Sequence, residues 1–462
     1  MEKRQQFILS SESIAFDKEH RKIINYNISK YIGAAQQGKS QFVNINLAKQ
    51  RASATKNKVI ENLDKFLIEF ESNFIKKGGK IIWAQNAEDA IAEIKKIAKS
   101  SSCNHIVKSK SMVTEEINLN KELVADSVEV IETDLGEYIQ QLSGEPPYHI
   151  VTPAMHKSKE SIAELPNAKK QTDSNVSPNE LAEFVRNELR DKFITAQIGV
   201  TGANYLIADT GSVVLTENEG NAINGMAFPK VHISICGIEK LIPSIYDLDV
   251  FITLLASFGT GQQITTYNSI ISGPKQNDED DGPDEMYLIL LDNNRTGLLA
   301  LAEQRRALAC IKCGACSNVC PVYKNVGGHT YGAVYGGPIG SVIMPHLKPE
   351  ENYYHLSSAS TMCGKCTASC PVGIDIHKLL LYNRRDFVAK GHSTKTENLY
   401  RFFWKTAMLK RSKMDKGGAK VKNFMMRQFF RKQWGERREM PEVVTKSFNQ
   451  QWREQRTVRK RE

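Results

Sequence analysis

The sequence predicts an α/β fold followed by an α-helical, cysteine-rich module and a basic C-terminal tail. Up to about residue 300, short apolar segments alternate with amphipathic helical patterns. Cysteine, glycine and proline are then frequent up to about residue 385, and basic and aromatic residues dominate the remainder. These changes predict four regions: an N-terminal helical region at 1–69, an α/β domain at 70–297, the cysteine-rich module at 298–388 and the tail at 389–462.

Amphipathic patterns predict the first helices. Over residues 56–77, apolar side chains recur at the three- and four-residue intervals of one helix face. These side chains are Leu63, Phe66, Leu67, Phe70 and Phe74. A second helical pattern covers residues 87–99.

Short apolar runs bounded by polar residues or glycine predict the strands. The runs begin at Ile81, His105, Val128, Tyr205, Val213, His232 and Tyr287. Helical patterns separate the first three runs, and strands that alternate with helices form parallel sheets with helices on both faces. We therefore expect a largely parallel sheet that is covered on both sides.

Composition limits the class of protein. No apolar run reaches the roughly 18 residues of a membrane-spanning helix, and the first residues lack the apolar stretch of a secretory signal. We therefore expect a cytoplasmic protein, at most peripheral at the inner face of the membrane. Nine cysteines in a chain of 462 residues do not fit a disulfide framework, which is typical of small secreted domains.

The first cysteine run is the most specific chemical motif. Its sequence is CIKCGACSNVCP, which places Cys310, Cys313, Cys316 and Cys320 at the C-x2-C-x2-C-x3-C-P spacing of bacterial two-cluster ferredoxins. With this spacing, three thiolates on one tight turn ligate one cluster and the fourth ligates the neighbouring cluster.

The second run, CGKCTASCP, supplies Cys363, Cys366 and Cys370. It matches the last three positions of the first run, and Ser360 stands where the first cysteine of the pattern is expected. The exchange of the fourth ligand then assigns Cys370 to the cluster of the first run and Cys320 to the cluster of the second.

Cluster one is thus predicted to be a [4Fe–4S] cluster held by Cys310, Cys313, Cys316 and Cys370. Cluster two receives Cys320, Cys363 and Cys366 and lacks one thiolate. It is either a [3Fe–4S] cluster or a [4Fe–4S] cluster whose fourth iron has an oxygen ligand, such as Ser360, or an open position. Zinc also uses paired cysteines, but seven cysteines do not suit its four ligands.

Three segments together resemble the lactate utilization protein B family of iron–sulfur subunits. The first extends from the first cysteine run through VYKNVGGHTYG to YGGPIG, and the second is CGKCTASCP. The third comprises VKSKSMVTEEI, which begins at Val107, and GVTGANYLIADTGSVV, which begins at Gly199. The resemblance extends over about residues 20–450.

The resemblance implies a NagB/RpiA/CoA-transferase-like lactate-utilization (LUD) domain at 70–297 and a 4Fe-4S ferredoxin-type domain at 298–388. It also implies electron transport within an oxidoreductase complex of the L-lactate dehydrogenase type, which oxidises L-lactate to pyruvate. The implied partners are a cysteine-rich subunit and a second LUD-domain subunit, and the chain is not expected to be catalytic alone. No glycine-rich dinucleotide motif follows a predicted strand, so no dinucleotide site is expected.

Polar residues after two predicted strands suggest a ligand pocket, because open α/β sheets bind ligands at the carboxyl ends of their strands. Such a pocket suits a small hydroxy or keto acid, with Lys110 as the partner of its carboxylate. The candidate residues are Ser109, Lys110, Ser111, Thr114, Glu115, Thr201, Asn204 and Asp209. The alternative is ordinary turn chemistry around an empty pocket.

Two features have roles that the sequence leaves open. His329 either tunes a cluster by hydrogen bonding or makes an ordinary polar contact, and Ser360 is the second candidate for tuning.

Residues 391–462 contain 20 Lys and Arg against 7 Asp and Glu, with three of the four tryptophans. This tail is expected to dock onto a partner subunit, with a membrane surface or quinone as the alternative. Nucleic acid is disfavoured, because the positive charge is confined to the tail.

Three functions follow from these observations. The first is the electron-transfer subunit just described. The second is an iron–sulfur oxidoreductase that acts on another 2-hydroxy acid or reduces a quinone, and reduction of the isolated chain by its substrate would favour it. The third is a non-catalytic redox-sensing binding module, which salt-sensitive binding of nucleic acid by the tail would favour.

Overall fold

The computed structural model describes residues 2–164, 177–414, 417–434 and 439–459. The chain forms two compact units, Met1–Ala389 and Lys390–Glu462. The α-helices of the first unit are Lys3–Phe16, Lys18–Lys39, Ile45–Glu61, Leu63–Lys76, Ala87–Ser100, Met112–Glu116, Leu119–Ala125, Leu135–Ser143, Lys159–Ala163, Pro178–Thr195, Asn221–Ala227, Leu248–Gly259, Arg295–Ala300, Ala315–Asn318, Pro321–Val326, Gly337–Leu347, Glu350–Tyr353, Lys365–Ala368 and Ile376–Ala389. Short 3-10 helices cover Ile238–Lys240, Ile245–Asp247, Gln304–Ala309, His329–Tyr331 and Tyr354–Ser358.

The strands form two sheets. They are β1 (Lys80–Ala84), β2 (His105–Lys108), β3 (Glu129–Glu132), β4 (Ile198–Thr201), β5 (Tyr205–Ile207), β6 (Ser212–Glu217), β7 (Val231–Gly237), β8 (Leu241–Ile242), β9 (Tyr267–Ile271) and β10 (Glu285–Leu291). The larger sheet has the order β1-β10-β7-β4-β2-β3. All its neighbouring strands are parallel. The predicted parallel sheet is therefore confirmed.

Helices cover both faces of the parallel sheet, as predicted. Along β10, Leu288 and Leu290 face one side and pack in a cluster with Phe70. The alternate residue Ile289 faces the other side and packs in a cluster with Ile94 of the helix Ala87–Ser100. Because successive strand residues point to opposite faces, a strand that is apolar throughout is buried on both sides.

The predicted single helix over residues 56–77 is wrong in its continuity. The structure has one helix that ends at Glu61 and another that begins at Leu63, and Asn62 between them has φ −137° and ψ 40°. The side-chain amide of Asn62 donates to the carbonyl of Lys58 at 2.9 Å. Asparagine disrupts helices by hydrogen bonding to the nearby backbone in this way, although all five predicted apolar residues of the second helix are buried.

All seven predicted apolar runs are strands, but the sequence did not reveal β4, β8 and β9. The strand β4 contains Gly199, which interrupts its apolar pattern and permits a close approach of the next helix. A Cβ atom on Gly199 would lie 1.6 Å from the carbonyl oxygen of Gly225. The strand β8 has only two residues, and β9 is a partly exposed strand with mixed polarity.

The smaller sheet has the order β8-β5-β6-β9 and joins the cysteine-rich module to the α/β part of the chain. Its residues Tyr205 and Val214 belong to the same buried cluster as Phe251, Cys313 and Cys316. The first cysteine run and this sheet therefore share one apolar core. The divisions at residues 69 and 297 within this unit stay proposals.

The second unit contains the basic tail. Its helices are Lys395–Met408, Arg411–Met414, Gly418–Trp434 and Phe448–Arg459. The first of them begins with a capping box in which Thr394 and Glu397 satisfy each other's backbone N–H groups. Large apolar side chains of the tail, such as Phe402 and Trp404, are exposed. Within the described ranges, every helix is too short or too polar to cross a lipid bilayer.

Candidate metal centre and adjoining cavity

The two cysteine runs have the same local backbone. Lys312 and Met362, each directly before the second cysteine position of its run, have φ values of 60° and 58°. Gly314 and Gly364, each directly after that cysteine, have φ and ψ of 76° and −8° and of 77° and −5°. Each glycine begins a single helical turn. The repetition of the sequence motif is thus a repetition of three-dimensional structure.

Ser360 occupies the position that Cys310 has in the first run. The backbone N–H of Lys312 donates to Cys310 Sγ at 3.4 Å. In the second run, the N–H of Met362 donates to Ser360 Oγ at 3.1 Å. The serine oxygen therefore has the same local hydrogen bond as the thiol at the equivalent position of the first run.

The thiols of the first run lie together with one thiol of the second. Burial raises the pKa of Cys313 and Cys316, and the nearby thiols of Cys310 and Cys370 raise it further. Cys370 itself has its pKa raised by burial and then by Cys310, despite the donated N–H of Ile374. The structure thus brings together the four residues that the spacing assigned to cluster one.

The remaining three thiols form a second group. Burial raises the pKa of Cys366 to about 11, with contributions from Cys320 and Cys363. Burial also raises the pKa of Cys320, and Cys363 adds to this shift. Cys363 is exposed, and the N–H of Lys365 lowers its pKa. The second group is therefore closer to solvent than the first.

These two groups of thiols fit a pair of iron–sulfur clusters. Buried thiols with raised pKa values are costly to ionise without a cation, and metal binding supplies that cation when it deprotonates them. When bound, such clusters supply one-electron transfer. The chain contributes the thiols, the two tight turns and the packing that buries three of the four thiols of the first group.

His149 is a buried histidine that the sequence analysis missed. Its Nδ1 accepts the N–H groups of Val151 and Thr152 at 3.2 and 3.3 Å, so in the neutral ring the proton is on Nε2. Burial lowers the pKa of His149 to about 3, which keeps the ring neutral. Nε2 is buried and has no partner in the described parts of the chain. A Cβ on Gly314 would lie 3.0 Å from His149 Cε1, so the ring packs against the turn of the first run.

His329 makes other contacts. Its Nε2 lies 2.8 Å from the carbonyl oxygen of Pro146, and its ring packs against Tyr148 and His156. The tuning role predicted for His329 stays a prediction. His149, in contrast, packs beside the first run, and its N–H group has no acceptor among the described residues.

A cavity of about 420 Å³ lies between the carboxyl ends of the parallel strands and the first cysteine run. Ser109, after β2, and Gly202, after β4, line it on the sheet side. Lys240 follows β7 and lines the same cavity together with Lys312 and Cys313 of the first run. The cavity is therefore at the place where α/β sheets bind ligands and next to cluster one.

Four of the eight predicted pocket residues line this cavity: Ser109, Lys110, Ser111 and Asn204. The ammonium of Lys110 donates to the carbonyl oxygen of Val151, and Ser111 Oγ caps a short helix by accepting the N–H of Thr114 at 3.4 Å. The side-chain oxygen of Asn204 accepts the N–H of Thr216 at 3.0 Å. Much of their polarity therefore serves the structure of the cavity wall.

The other four predicted residues make structural contacts elsewhere. Thr201 Oγ1 lies 2.8 Å from His232 Nε2 inside the sheet. Asp209 accepts the N–H of Ile245 at 3.2 Å. The remaining two, Thr114 and Glu115, contact the ammonium of Lys108 at 3.1 and 3.4 Å. Within the described residues, these four are separate from the lining of the cavity.

Lys108 is a fully buried cation that the sequence analysis missed. Its Nζ lies 2.8 Å from Glu132 Oε1 and 3.7 Å from Glu137 Oε2, in addition to its contact with Glu115. Burial lowers the pKa of Lys108, but the three carboxylates outweigh burial and the net shift is upward. Burial also raises the pKa of Glu137 well above its usual range. One lysine thus supplies a positive charge among three acidic side chains at the end of β2.

Comparison with known proteins agrees with this architecture. The LUD domain family matches residues 67–291. The 4Fe-4S dicluster domain family matches residues 306–374, which shows that the chain holds iron–sulfur clusters. A crystal structure of a DUF162 family protein from Deinococcus radiodurans covers 50% of this chain and 98% of its own, with 13% identity and a TM-score of 0.28, and we draw no conclusion from it.

Curated relatives match over most of their length. Lactate utilization protein B of Lysinibacillus sphaericus (strain C3-41) is 46% identical over 343 residues, which are 74% of this chain and 72% of the relative. The Bacillus cytotoxicus protein of the same name is 45% identical over 341 residues, with the same coverage. The Shouchella clausii protein is 43% identical over 349 residues, 75% of this chain and 73% of the relative. With such identity over about three quarters of each protein, this chain belongs to the lactate utilization protein B family.

Proposed function

We propose that this chain is the iron–sulfur electron-transfer subunit of a complex that oxidises L-lactate to pyruvate. The names of its relatives supply the process, and the 4Fe-4S dicluster domain supplies the electron-transfer chemistry. The observation that supports a relay best is the exchange of thiols between the two runs. Cys370 lies with the first run and Cys320 lies with the second, so that each run helps to hold both clusters and the clusters are neighbours.

The two groups of thiols give the relay a direction through the chain. Cys313 of the first group lines the internal cavity, whereas Cys363 of the second group is exposed. We propose that cluster one, held by Cys310, Cys313, Cys316 and Cys370, exchanges electrons on the inner side. Cluster two, held by Cys320, Cys363 and Cys366, exchanges them with a partner at the surface.

The partners that we propose are a cysteine-rich subunit and a second LUD-domain subunit. The exposed aromatic side chains of the basic tail, including Phe402 and Trp404, suit a docking segment, since aromatic residues are enriched at protein interfaces. Peripheral contact with a membrane or a quinone is the alternative for the tail.

Ser360 is expected to complete cluster two. Because its Oγ has the same local hydrogen bond as Cys310 Sγ, we expect the anaerobically purified chain to contain about eight iron atoms, as two [4Fe–4S] clusters do. Ser360→Ala should remove the oxygen ligand and produce the electron paramagnetic resonance signal of an oxidised [3Fe–4S] cluster. Ser360→Cys is the matched control and should retain both [4Fe–4S] clusters.

A signal that does not depend on Ser360 would contradict this prediction. A [3Fe–4S] signal in the unmodified chain that is unchanged by Ser360→Ala would mean that Ser360 is not a ligand and that cluster two lacks its fourth iron.

The proposed function is tested by substrate-dependent reduction. With the two partner subunits present under anaerobic conditions, L-lactate should reduce the clusters of this chain, and their reduced-state paramagnetic signals should develop within the turnover time of the complex. The chain alone should stay oxidised with L-lactate but be reduced by dithionite. Failure of L-lactate to reduce the clusters in the complete complex would contradict the proposal.

The second candidate is an oxidoreductase that itself acts on a 2-hydroxy acid. The cavity beside Cys313 is the observation that favours it. Reduction of the isolated chain by a 2-hydroxy acid would support this candidate over the subunit function.

A further inference from the structure

The cavity beside the first cysteine run contains a lysine without a partner. Lys240 is at the end of the 3-10 turn that follows β7, lines the cavity and is only 9% exposed. Among the described residues, no hydrogen bond or ion pair engages its ammonium group. An ammonium group carries three donors, and this buried one has no protein acceptor in the described part of the chain, so it is a candidate for binding an anion.

The backbone around Lys240 is fixed by another buried lysine. The ammonium of Lys56 donates to the carbonyl oxygens of Glu239 and Leu241, at 2.6 and 3.1 Å. These two carbonyls flank Lys240 in the chain. The position of Lys240 is therefore rigid before any ligand binds, which reduces the entropy that binding would cost.

The acidic residue next to Lys240 is already paired. Glu239 Oε2 accepts from Arg295 Nε at 2.7 Å, and the guanidinium of Arg295 also binds Glu116 at 2.9 and 3.0 Å. Glu239 thus forms a buried ion pair instead of neutralising Lys240. Burial lowers the pKa of Lys240; Glu239 partly opposes that shift, whereas Lys312 adds to it.

Lys312 supplies a second cation at the same end of the cavity. Its Nζ lies 4.0 Å from the ring centroid of Tyr335, and the hydroxyl of Tyr335 donates to Glu116 at 2.8 Å. The aromatic ring holds the lysine side chain without satisfying its hydrogen bonds. Two ammonium groups, from Lys240 and Lys312, are therefore available near Cys313.

Acidic residues also line the cavity. Glu217 accepts the backbone N–H groups of Ala222 and Ile223 at 2.6 and 2.9 Å. Burial and the nearby Asp134 raise the pKa of Glu219 to about 7. The cavity therefore has acidic side chains as well as the two lysines, and we expect the anionic group of a bound molecule on the lysines.

We propose that this cavity binds a small 2-hydroxy or 2-keto carboxylate, with its carboxylate on Lys240 and Lys312 beside Cys313 of the first run. The choice of acid rests on the proposed function, whereas the binding of a carboxylate rests on the lysines alone. In this assignment Lys240 and Lys312 take the place expected for Lys110, whose ammonium donates to the carbonyl oxygen of Val151 and attracts Glu219. The competing explanation is that the two lysines only balance the negative charge of cluster one.

Calorimetric titration of the anaerobically purified full chain tests the proposal. L-lactate and pyruvate should each bind with one site per chain, and lactamide, which has no carboxylate, should not bind. Lys240→Gln should weaken binding of both acids by at least about tenfold, the effect of losing one charge-assisted hydrogen bond. Lys80→Gln is the matched control, since Lys80 is an exposed lysine paired with Glu285, and it should bind as the unmodified chain does.

Lys312→Gln gives a second measurement if Lys240→Gln does not retain its iron. It should also weaken binding, and far-ultraviolet circular dichroism and iron content show whether each variant is folded. Absence of carboxylate binding by the unmodified chain would overturn the proposal. Unchanged affinity in both lysine variants would do so too, and a change of cluster potential in them without binding would support the charge-balancing explanation instead.

The outcome for the cavity can be separated from the outcome for the proposed function. If L-lactate reduces the clusters in the complete complex but does not bind this chain, only the cavity proposal is wrong. If the acids bind in a Lys240-dependent way but no reduction occurs with the partners present, the cavity proposal stands and the electron-transfer function is wrong.

Discussion

Replacing Cys370 with alanine is expected to remove the cluster of the first cysteine run, although Cys370 belongs to the second. The reason is the grouping of the thiols, in which Cys370 lies with Cys310 and raises the pKa of Cys313 and Cys316. Iron content should fall by about half, since each cluster holds up to four irons. Paramagnetic resonance of the reduced chain should lose the signal of cluster one and keep that of cluster two.

The reciprocal change should have the reciprocal effect. Cys320→Ala should remove cluster two, because the thiol of Cys320 lies with Cys363 and Cys366, and it should leave cluster one in place. Cys103→Ala is the matched control, since this half-buried thiol donates to the carbonyl of His105 at 3.2 Å and packs against an apolar cluster of the sheet. If Cys370→Ala removed cluster two and Cys320→Ala removed cluster one, each run would hold its own cluster and the exchange would be refuted.

Lys108→Met is expected to destabilise the folded chain by about 3–5 kcal/mol, the usual cost of removing one partner from a buried ion pair. The ammonium of Lys108 is 2.8 Å from Glu132, 3.4 Å from Glu115 and 3.7 Å from Glu137. Methionine fills a similar volume but leaves these carboxylates without a counter-charge. Guanidinium-induced unfolding of the anaerobic protein measures the difference in the free energy of unfolding.

The stability lost in Lys108→Met should increase with pH. Burial already raises the pKa of Glu137 and of Glu115 in the folded chain, and removal of Lys108 should raise both further. A carboxyl group with a raised folded pKa destabilises the fold increasingly as pH rises above its unfolded pKa. The difference between Lys108→Met and the unmodified chain should therefore be smaller at about pH 5 than at about pH 8.

Two variants serve as controls for this prediction. Lys80→Met removes an exposed lysine that is 2.8 Å from Glu285, and such a surface pair should contribute about 1 kcal/mol or less. Adding Glu132→Gln to Lys108→Met should recover part of the lost stability. A pH-independent loss, or no recovery in the double variant, would mean that packing and not charge explains the effect.

The cavity shows how burial decides which polar residues are available. Lys110 and Lys240 both follow strands of the parallel sheet, and the sequence pointed to Lys110 because it stands at the carboxyl end of a predicted strand beside hydroxyl side chains. In the structure, Lys110 is bonded to Val151, whereas Lys240 is buried without a partner. The local sequence around Lys240 does not show that this lysine lines a cavity, because the first cysteine run, some 70 residues later, lines the same cavity.

Thr201 and Thr114 also show that a position near the end of a strand does not by itself predict ligand binding. Both stand at the carboxyl end of a strand or just beyond it, as ligand-binding residues often do. Thr201 instead contacts His232 of the neighbouring strand, and Thr114 contacts the buried Lys108. The partner of Thr201 lies on another strand, and the partner of Thr114 is a buried lysine. A sequence pattern does not specify which of these side chains meet in the folded chain.

The sequence by itself determined the features that depend on local spacing. Cysteines at intervals of three and four residues require a tight turn around a cluster, and apolar runs between helical patterns require a parallel sheet, so both were predicted and the fold is as expected. Only the tertiary structure decided how distant segments meet. It placed Ser360 in the same geometry as Cys310, buried His149 against Gly314 and set Lys240 in the cavity. The physical reason is that burial and charge pairing depend on contacts between distant residues, whereas turns, strands and ligand spacing depend on neighbours along the chain.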